Sequence, residues 1–328
     1  MSESGTQGDL LRVDDLRVWF GPRRRPVRAV DGVSFSIRHG ESVGLVGESG
    51  CGKTTLGQAI MRLVDIHSGR IDFDGRDIAP LKGRALVAYR KHAQMIFQDP
   101  YGSLNARMSV GNAIEEMMAV HRMGTRAERR RRARDLFEAV GLDPAYMNRY
   151  PHEFSGGQRQ RIGIARALAV DPRLVIADEP VSALDVSVQV QILNLMKELQ
   201  QRMNLAYLFV AHDLAVVRYV CDRILVMYLG KIVEAGTPDE ILARPTHPYT
   251  QALLSAVPDV EKGLRARAEG SSRIILKGDV PLPTQQISGC PFHPRCPVAR
   301  ERCRTEPPAL REIHPRHTSA CHYAGATA

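Results

Sequence analysis

VGLVGESGCGKTTLGQAI, residues 43–60, sets a short apolar run directly before a glycine-rich stretch and a segment with helical apolar spacing. Val43 to Val46 read as a strand, and Leu56, Ile60, Leu63 and Val64 as one face of a helix. Between them, Gly47 to Thr54 match G-x-x-x-x-G-K-[ST] at every fixed position, in the strand, loop, helix context that gives the pattern its meaning. Such a loop curls backbone N–H groups around a β-phosphate and aims a helix N-terminus at the anion. Gly47, Glu48, Ser49, Gly50, Cys51, Gly52, Lys53, Thr54 and Thr55 are therefore the candidate nucleotide-binding residues. Lys53 would neutralise β and γ oxygens, and the Thr54 hydroxyl would reach Mg²⁺. Cys51 falls where the pattern accepts any residue and reads as a small filler. The motif implies a bound nucleoside triphosphate and is silent on its use.

Outward from this unit the chain reads as α/β. Leu16, Val18 and Phe20 alternate, then Val33, Phe35 and Ile37, across an Arg- and Pro-rich segment, which predicts an antiparallel β entry. A strand pair flanks the turn Asp74-Gly75, and the runs 93–97, 174–177 and 206–210 look like central strands buried on both faces. From about 100 to 172 the periodicity is almost wholly helical, with Ala133, Leu136, Phe137 and Val140 on one stripe, predicting a helical subdomain. Thr237-Pro238-Asp239-Glu240 opens a helix after the hairpin 224–234. Residues 259–273 read as a linker, and the Pro-, Cys- and His-rich remainder as a small appended domain. The expected division is a nucleotide-binding domain over 1–255 and an extension over 256–328.

The 328 residues suffice for about two domains, with 44% hydrophobic and 25% charged residues in ordinary globular proportion. Collagenous, low-complexity and disordered classes are excluded. No stretch has the roughly 18 unbroken apolar residues of a membrane span, and MSESGTQGDL lacks the regions of a signal peptide, so a cytosolic location is expected. The net charge of +9 suits phosphate, anionic lipid or nucleic acid without choosing among them, and the Arg129 to Arg132 run reads as a solvated helix face. Aromatic residues are 5% and not interleaved with the basic runs, which disfavours base stacking.

A second motif is LVIADE, residues 174–179, an apolar strand that delivers Asp178 and Glu179 where the sheet ends. Asp178 can hold the Mg²⁺ hydration shell, while Glu179 can orient or deprotonate an attacking water. A third is FSGGQRQR, residues 154–161, in which Ser155, Gly156, Gly157 and Gln158 at a helix start make an anion site. This chain's own loop already cradles one triphosphate and leaves that site without a use.

These three motifs at this spacing resemble the ATP-binding cassette (ABC) ATPases, over residues 11 to about 255. The resemblance implies a P-loop NTPase core with a mixed sheet, ATP and Mg²⁺ as ligands, and active hydrolysis. It also implies a nucleotide-sandwich dimer in which Ser155 to Gln158 close on the γ-phosphate held by the partner. Phe20 resembles the aromatic that stacks on adenine, although a core role beside Trp19 reads equally well. Gln98, in FQDP, resembles the glutamine that reaches Mg²⁺ and the water. Asp185, in SALD, resembles the acidic member of the loop crossing the dimer interface, and His212 the switch histidine at the γ-phosphate. Glu179, His212 and Gln98 are thus the expected catalytic residues, and Thr54, Gln98 and Asp178 the expected Mg²⁺ site. The one departure, Phe154 for the usual Leu, is apolar for apolar.

THPYTQALLSAVP at 246–258, with the later GDVP and CPFHPRCP, resembles the extension of the ATP-binding subunits of dipeptide and oligopeptide importers. That implies a peripheral protein on the cytoplasmic face of the membrane. Its implied partners are a second ATPase subunit, often a sister chain, two permease subunits and an extracytoplasmic peptide-binding protein. Nucleic acid is not among them. Competing readings are a soluble ABC protein acting on DNA repair or the ribosome, an exporter, and an importer of another substrate such as nickel chelates. Cys290, Cys296, Cys303 and Cys321 crowd the tail at spacings x5, x6 and x17, without the short C-x2-C knuckles usual for zinc. The tail resemblance implies a 4Fe-4S cluster, with zinc and unligated thiols as alternatives. His293, His314, His317 and His322 read as surface residues.

Overall fold

The computed structural model describes residues 8–22, 24–99, 101–256, 276, 278 and 281–325. Two long strands open the chain, β1 (Asp9–Phe20) and β2 (Val27–Arg38), paired antiparallel. With β4 (Ser68–Phe73) and β5 (Arg76–Asp77) they form a four-stranded sheet of order β2-β1-β4-β5. The phosphate loop lies between β3 (Ser42–Val46) and helix α1 (Lys53–Ile60). Helix α2 (Gly83–His92), which the apolar pattern did not announce, precedes β6 (Ala93–Ile96).

The helical lobe consists of α3 (Val110–Val120), α4 (Arg126–Ala139) and α5 (Gly156–Leu168), and the chain returns to the sheet at β7 (Leu174–Asp178). Helix α6 (Val186–Met203) leads to β8 (Ala206–Ala211), and α7 (Leu214–Val220) to the hairpin β9 (Arg223–Tyr228) and β10 (Lys231–Gly236). Helix α8 (Pro238–Ala243) starts at Thr237, whose hydroxyl and the Glu240 carboxylate form the expected reciprocal cap. Helix α9 (Pro248–Ala256) follows, and the tail supplies α10 (Glu301–Thr305), β11 (Arg311–His314) and β12 (His317–Ser319).

The large sheet has the order β11-β12-β10-β9-β3-β8-β7-β6, with β9, β3, β8, β7 and β6 parallel and the other pairings antiparallel. The parallel strands are buried on both faces, which is why they read as continuous apolar runs. Their alternate residues feed two cores. Leu45, Ile176 and Leu208 pack with Leu11, Val13 and Val30 of the antiparallel sheet, and Val46, Val175 and Tyr207 with the helical side. No described helix is long and apolar enough to cross a membrane.

Two expectations need correction. The arginines of α4 are not simply a solvated face: Arg130 pairs with Glu115 at 2.8 Å, Arg132 binds Asp171 and the Ala169 carbonyl, and Arg129 donates to the Gly124 carbonyl. Three of the four staple the lobe, and only Arg131 is left exposed. His317 is not at the surface. Strand β12 adds to β10 and carries His317 into a wholly buried pair with Glu234, Nε2 to Oε1 at 2.7 Å. The tail is therefore part of the main sheet through β11 and β12, whereas the expected linker at 259–273 lies outside the described residues.

Glu234 also accepts from the Thr246 hydroxyl at 2.8 Å and from the backbone N–H groups of Thr246 and His247. Burial alone would raise its carboxyl, but the bonds from His317 and Thr246 hold it below the ordinary value. A carboxylate lowered on folding contributes stability above its unfolded pKa and loses it as pH falls through the folded one. Glu234→Gln should lower stability at neutral pH by about 3 kcal/mol, since it strips the partner from a buried pair. It should also remove part of the loss that the parent suffers below about pH 4.3. Urea midpoints across pH check both, and a variant as stable as the parent would sink the assignment.

Candidate functional site

The strand β3 ends where the loop must turn, and the turn depends on two missing side chains. A Cβ on Gly47 would stand 2.2 Å from the Met227 carbonyl, and one on Gly52, at φ +107, 2.0 Å from that of Ala29. Lys53 is 5% exposed, and its ammonium donates to the Gly47 carbonyl at 2.8 Å and the Glu48 carbonyl at 3.0 Å. Those bonds hold the cation at the loop, where a triphosphate would take it over. Cys51 is buried under the loop, its thiol pKa raised by desolvation, as suits a filler.

The acidic pair arrives at the end of a single strand, β7, separated from β3 by β8. Asp178, at the end of β7, is 3% exposed and accepts from the Thr54 hydroxyl at 3.1 Å. Burial raises its carboxyl above the usual range, the expected state of a carboxylate waiting for a cation. Glu179 follows in the left-handed region at φ 46, with its N–H bonded to the Val210 carbonyl at 2.9 Å. Strain of this kind is kept where the surrounding structure fixes it. Its Oε2 accepts from the Gln98 amide at 3.0 Å and stands 3.4 Å from Nδ1 of His212, beyond the end of β8.

One open cleft gathers Phe20, Ser49, Gly50, Gly52, Lys53, Thr54, Thr55, Gln98, Glu179 and His212. Phe20 is 40% exposed at its rim, while Trp19 stacks on His67 at 3.9 Å, so the two adjacent aromatics divide the solvent-facing and packed roles. Thr54, Asp178 and Gln98 offer hydroxyl, carboxylate and amide oxygens together, a donor set that fits Mg²⁺. Ser155 to Gln158 are not in this cleft. Ser155 caps α5, accepting from the Gln158 N–H at 3.3 Å while its own N–H donates to that side chain at 2.9 Å. Ser155 and Gly156 are exposed, and Gly156 and Gly157 lie against Leu184 and Val188, beside Asp185 at the start of α6.

Sequence reading missed three contributors, Tyr249 from α9 and Pro283 and Arg295 from the extension. Pro283 lines the cleft and its carbonyl accepts the Arg28 N–H at 3.1 Å; Tyr249 and Arg295 bond Glu48. All lie far along the chain, where spacing gives no signal. The cysteines do gather: Cys290, Cys296, Cys303 and Cys321 line one pocket with Phe292 and Tyr323, as free thiols. Burial raises Cys290 to about 11 and pushes Cys296 and Cys321 upward. The expectation of a ready iron–sulfur site is not met, because among the described residues no three His, Cys, Asp or Glu side chains form a group able to hold a metal ion.

Comparison with known proteins agrees with this geometry. Residues 30–182 match the ABC transporter family, and residues 233–303 the C-terminal region of oligopeptide/dipeptide transporters. An oligopeptide transport ATP-binding protein of Bacillus subtilis is 50% identical over 97% of this chain and 98% of its own. A protein of Brucella ovis named for peptide import ATP-binding is 51% identical over 96% and 98%. Among solved structures, cbiO1 of Clostridium perfringens, part of the ABC transporter complex cbiONQ, aligns with TM-score 0.65 at 28% identity, covering 72% of this chain and 91% of its own. The dimeric cassette MJ0796, in a post-hydrolysis state with ADP and Pi bound, aligns with TM-score 0.64 at 27% identity over 70% and 98%.

Proposed function

The chain belongs to the ABC transporter ATPases, and on that premise we propose that it hydrolyses ATP to energise peptide import through a membrane permease. The observation that carries the ATPase reading is the shared carboxylate oxygen of Glu179, held by Gln98 and approached by His212 at the mouth of the phosphate-loop cleft. A water on the γ-phosphate side would find there one base, Glu179, and two polar groups that orient it. Thr54, Asp178 and Gln98 would hold Mg²⁺, which on binding neutralises phosphate charge. Lys53 would exchange its two carbonyl contacts for β and γ oxygens. Phe20 would cover the base, and Gly47 to Thr55 would wrap the phosphates.

Ser155, Gly156, Gly157 and Gln158 would serve a second cassette. The exposure of Ser155 and Gly156 at the start of α5, outside the chain's own cleft, supports a sandwich dimer, with Asp185 between Leu184 and Val188, the residues that Gly156 and Gly157 lie against. ATP bound between two chains meets more groups than in one chain, and that difference in affinity would drive closure. A sister chain as partner, two permeases and an extracytoplasmic binding protein complete the proposed assembly at the cytoplasmic face of the membrane. The peptide substrate rests on the tail: its match to oligopeptide/dipeptide transporters and the names of the relatives favour peptides over nickel chelates, nucleic acid or the ribosome. The proposed organisation is a cassette over 1–255 with its helical subdomain at 100–172, followed by an extension over 256–328 that also lends β12 to the cassette sheet.

A 4Fe-4S cluster on Cys290, Cys296, Cys303 and Cys321 is the finer proposal for the tail, with zinc as alternative. Four thiols without a competing carboxylate on an apolar pocket support the donor chemistry. Their present separations do not, so the cysteines would have to draw together, and no step of ATP hydrolysis is assigned to the cluster.

Glu179→Gln should lower kcat by at least about 100-fold while ATP binding persists, and Ser155→Arg should lower hydrolysis without weakening ATP binding to the single chain. A mixture of the two variants should recover part of the activity, because one sandwich site then has Glu179 from one chain and Ser155 from the other. No recovery in a dimer formed by the two folded variants would argue against sites shared between chains. A detergent pull-down from native membranes should recover two multi-span permeases; ribosomal or DNA-bound proteins instead would overturn the import reading. Anaerobic purification should yield brown protein with iron and sulfide, whereas colourless protein with stoichiometric zinc would remove the cluster.

A further inference from the structure

We propose that Arg295, from the extension, and Tyr249, from helix α9 that leads into it, are positioning residues of the phosphate loop, through which the C-terminal region sets how tightly this cassette holds nucleotide. The proposal rests on the ATP-binding reading above and deepens it. Glu48 is the first variable residue of the loop, and each of its polar groups is engaged. Its carboxylate takes a two-pronged bond from Arg295, Nη1 to Oε2 at 2.7 Å and Nη2 to Oε1 at 3.1 Å. Its N–H donates to the Tyr249 hydroxyl at 2.8 Å, and its carbonyl accepts from Lys53 at 3.0 Å. Both residues therefore bear on a residue that, with Gly47, fixes the resting place of the loop lysine.

The geometry is that of a seated clamp rather than a surface pair. The Arg295 side chain is 8% exposed and Glu48 26%. A forked guanidinium–carboxylate contact fixes direction as well as charge, and at this burial it loses little to solvent. Arg295 is itself held from behind. Phe292 packs against Tyr228 at 5.2 Å and Tyr249 at 5.5 Å, and the guanidinium lies 6.0 Å from the Tyr228 ring. Tyr249 is wholly buried in the same aromatic group. A phosphate loop works by presenting several amides at once, so an arm that fixes its first variable residue fixes the aim of the rest. The clamp holds the loop in the nucleotide-free protein, where no phosphate is present to order it, and this lowers the cost of ordering the loop on binding.

The test uses the full-length chain, a fluorescent ATP analogue with Mg²⁺ for affinity, and steady-state hydrolysis for KM and kcat. Arg295→Gln, Tyr249→Phe and Glu48→Gln should each weaken affinity and raise KM by about ten-fold, with kcat changed by less than about two-fold. The double variant Arg295→Gln with Glu48→Gln should be no weaker than the worse single one, because the two residues act as a unit. Arg295→Lys should recover part of the loss, keeping charge without the fork. Unchanged affinity in folded Arg295→Gln and Tyr249→Phe, even with a lowered melting temperature, would overturn the proposal by reducing the contact to a structural brace. Should Arg295→Gln fail to fold, Tyr249→Phe decides alone, since it removes one hydroxyl and keeps the ring. A parent chain that binds no nucleotide would overturn this proposal and the ATP reading together; a parent that binds, beside variants that bind equally, overturns this proposal alone.

Discussion

The phosphate loop is pressed so closely against two other strands that no side chain fits between them. Met227 of β9 and Ala29 of β2 bring their carbonyls to where the Cβ atoms of Gly47 and Gly52 would be. The loop therefore takes its shape from both sheets at once, and neither sheet alone could impose it. The turn of the β9–β10 hairpin completes the contact: the Gly230 N–H donates to the Cys51 carbonyl, and the Gly230 carbonyl accepts from Asp31, each at 2.9 Å. Strand β10 of the same hairpin is the edge onto which β12 of the tail docks. Loop, hairpin and tail thus form one mechanical chain, and a change at the tail has a short path of packed backbone to the nucleotide cleft.

What was legible in the sequence follows from where burial is strongest. Central strands lie under helices or a second sheet on both faces, so their residues are apolar without interruption, and β6, β7 and β8 stand out as short runs. Strand β12 has three residues, His-Thr-Ser, and no apolar alternation; it is a strand because the edge of β10 pairs with it on one side and β11 on the other. His317 is buried for the same reason, with Glu234 supplying the partner that a lone histidine in the sequence gives no hint of. In the site, the phosphate loop and the acidic pair are contiguous and could be read from residue chemistry. Gln98 and His212 are single polar residues beyond strand ends, and only the family resemblance singled them out. Pro283 reaches the cleft, and Arg295 and Tyr249 the phosphate loop, across about 200 residues or more of chain, a distance over which no periodicity survives.

The separation of the two anion sites has a physical consequence on the proposed dimer reading. Helix α5 begins with its cap Ser155 and Gly156 at the surface, and the capping box with Gln158 ties up only part of the polar groups there. The Cβ-free backbone there could approach an anion closely, yet the chain's own triphosphate cleft lies elsewhere. Each chain then holds one half of two composite sites, and neither half gains the full set of contacts until two chains meet. Closure would depend on how well each phosphate loop is ordered beforehand, because a loop that must first be organised spends part of its binding energy doing so. The tail contacts to Glu48 act on that ordering step rather than on Glu179. A regulator placed there would change how readily the sandwich forms and leave the chemistry of the closed site as it was.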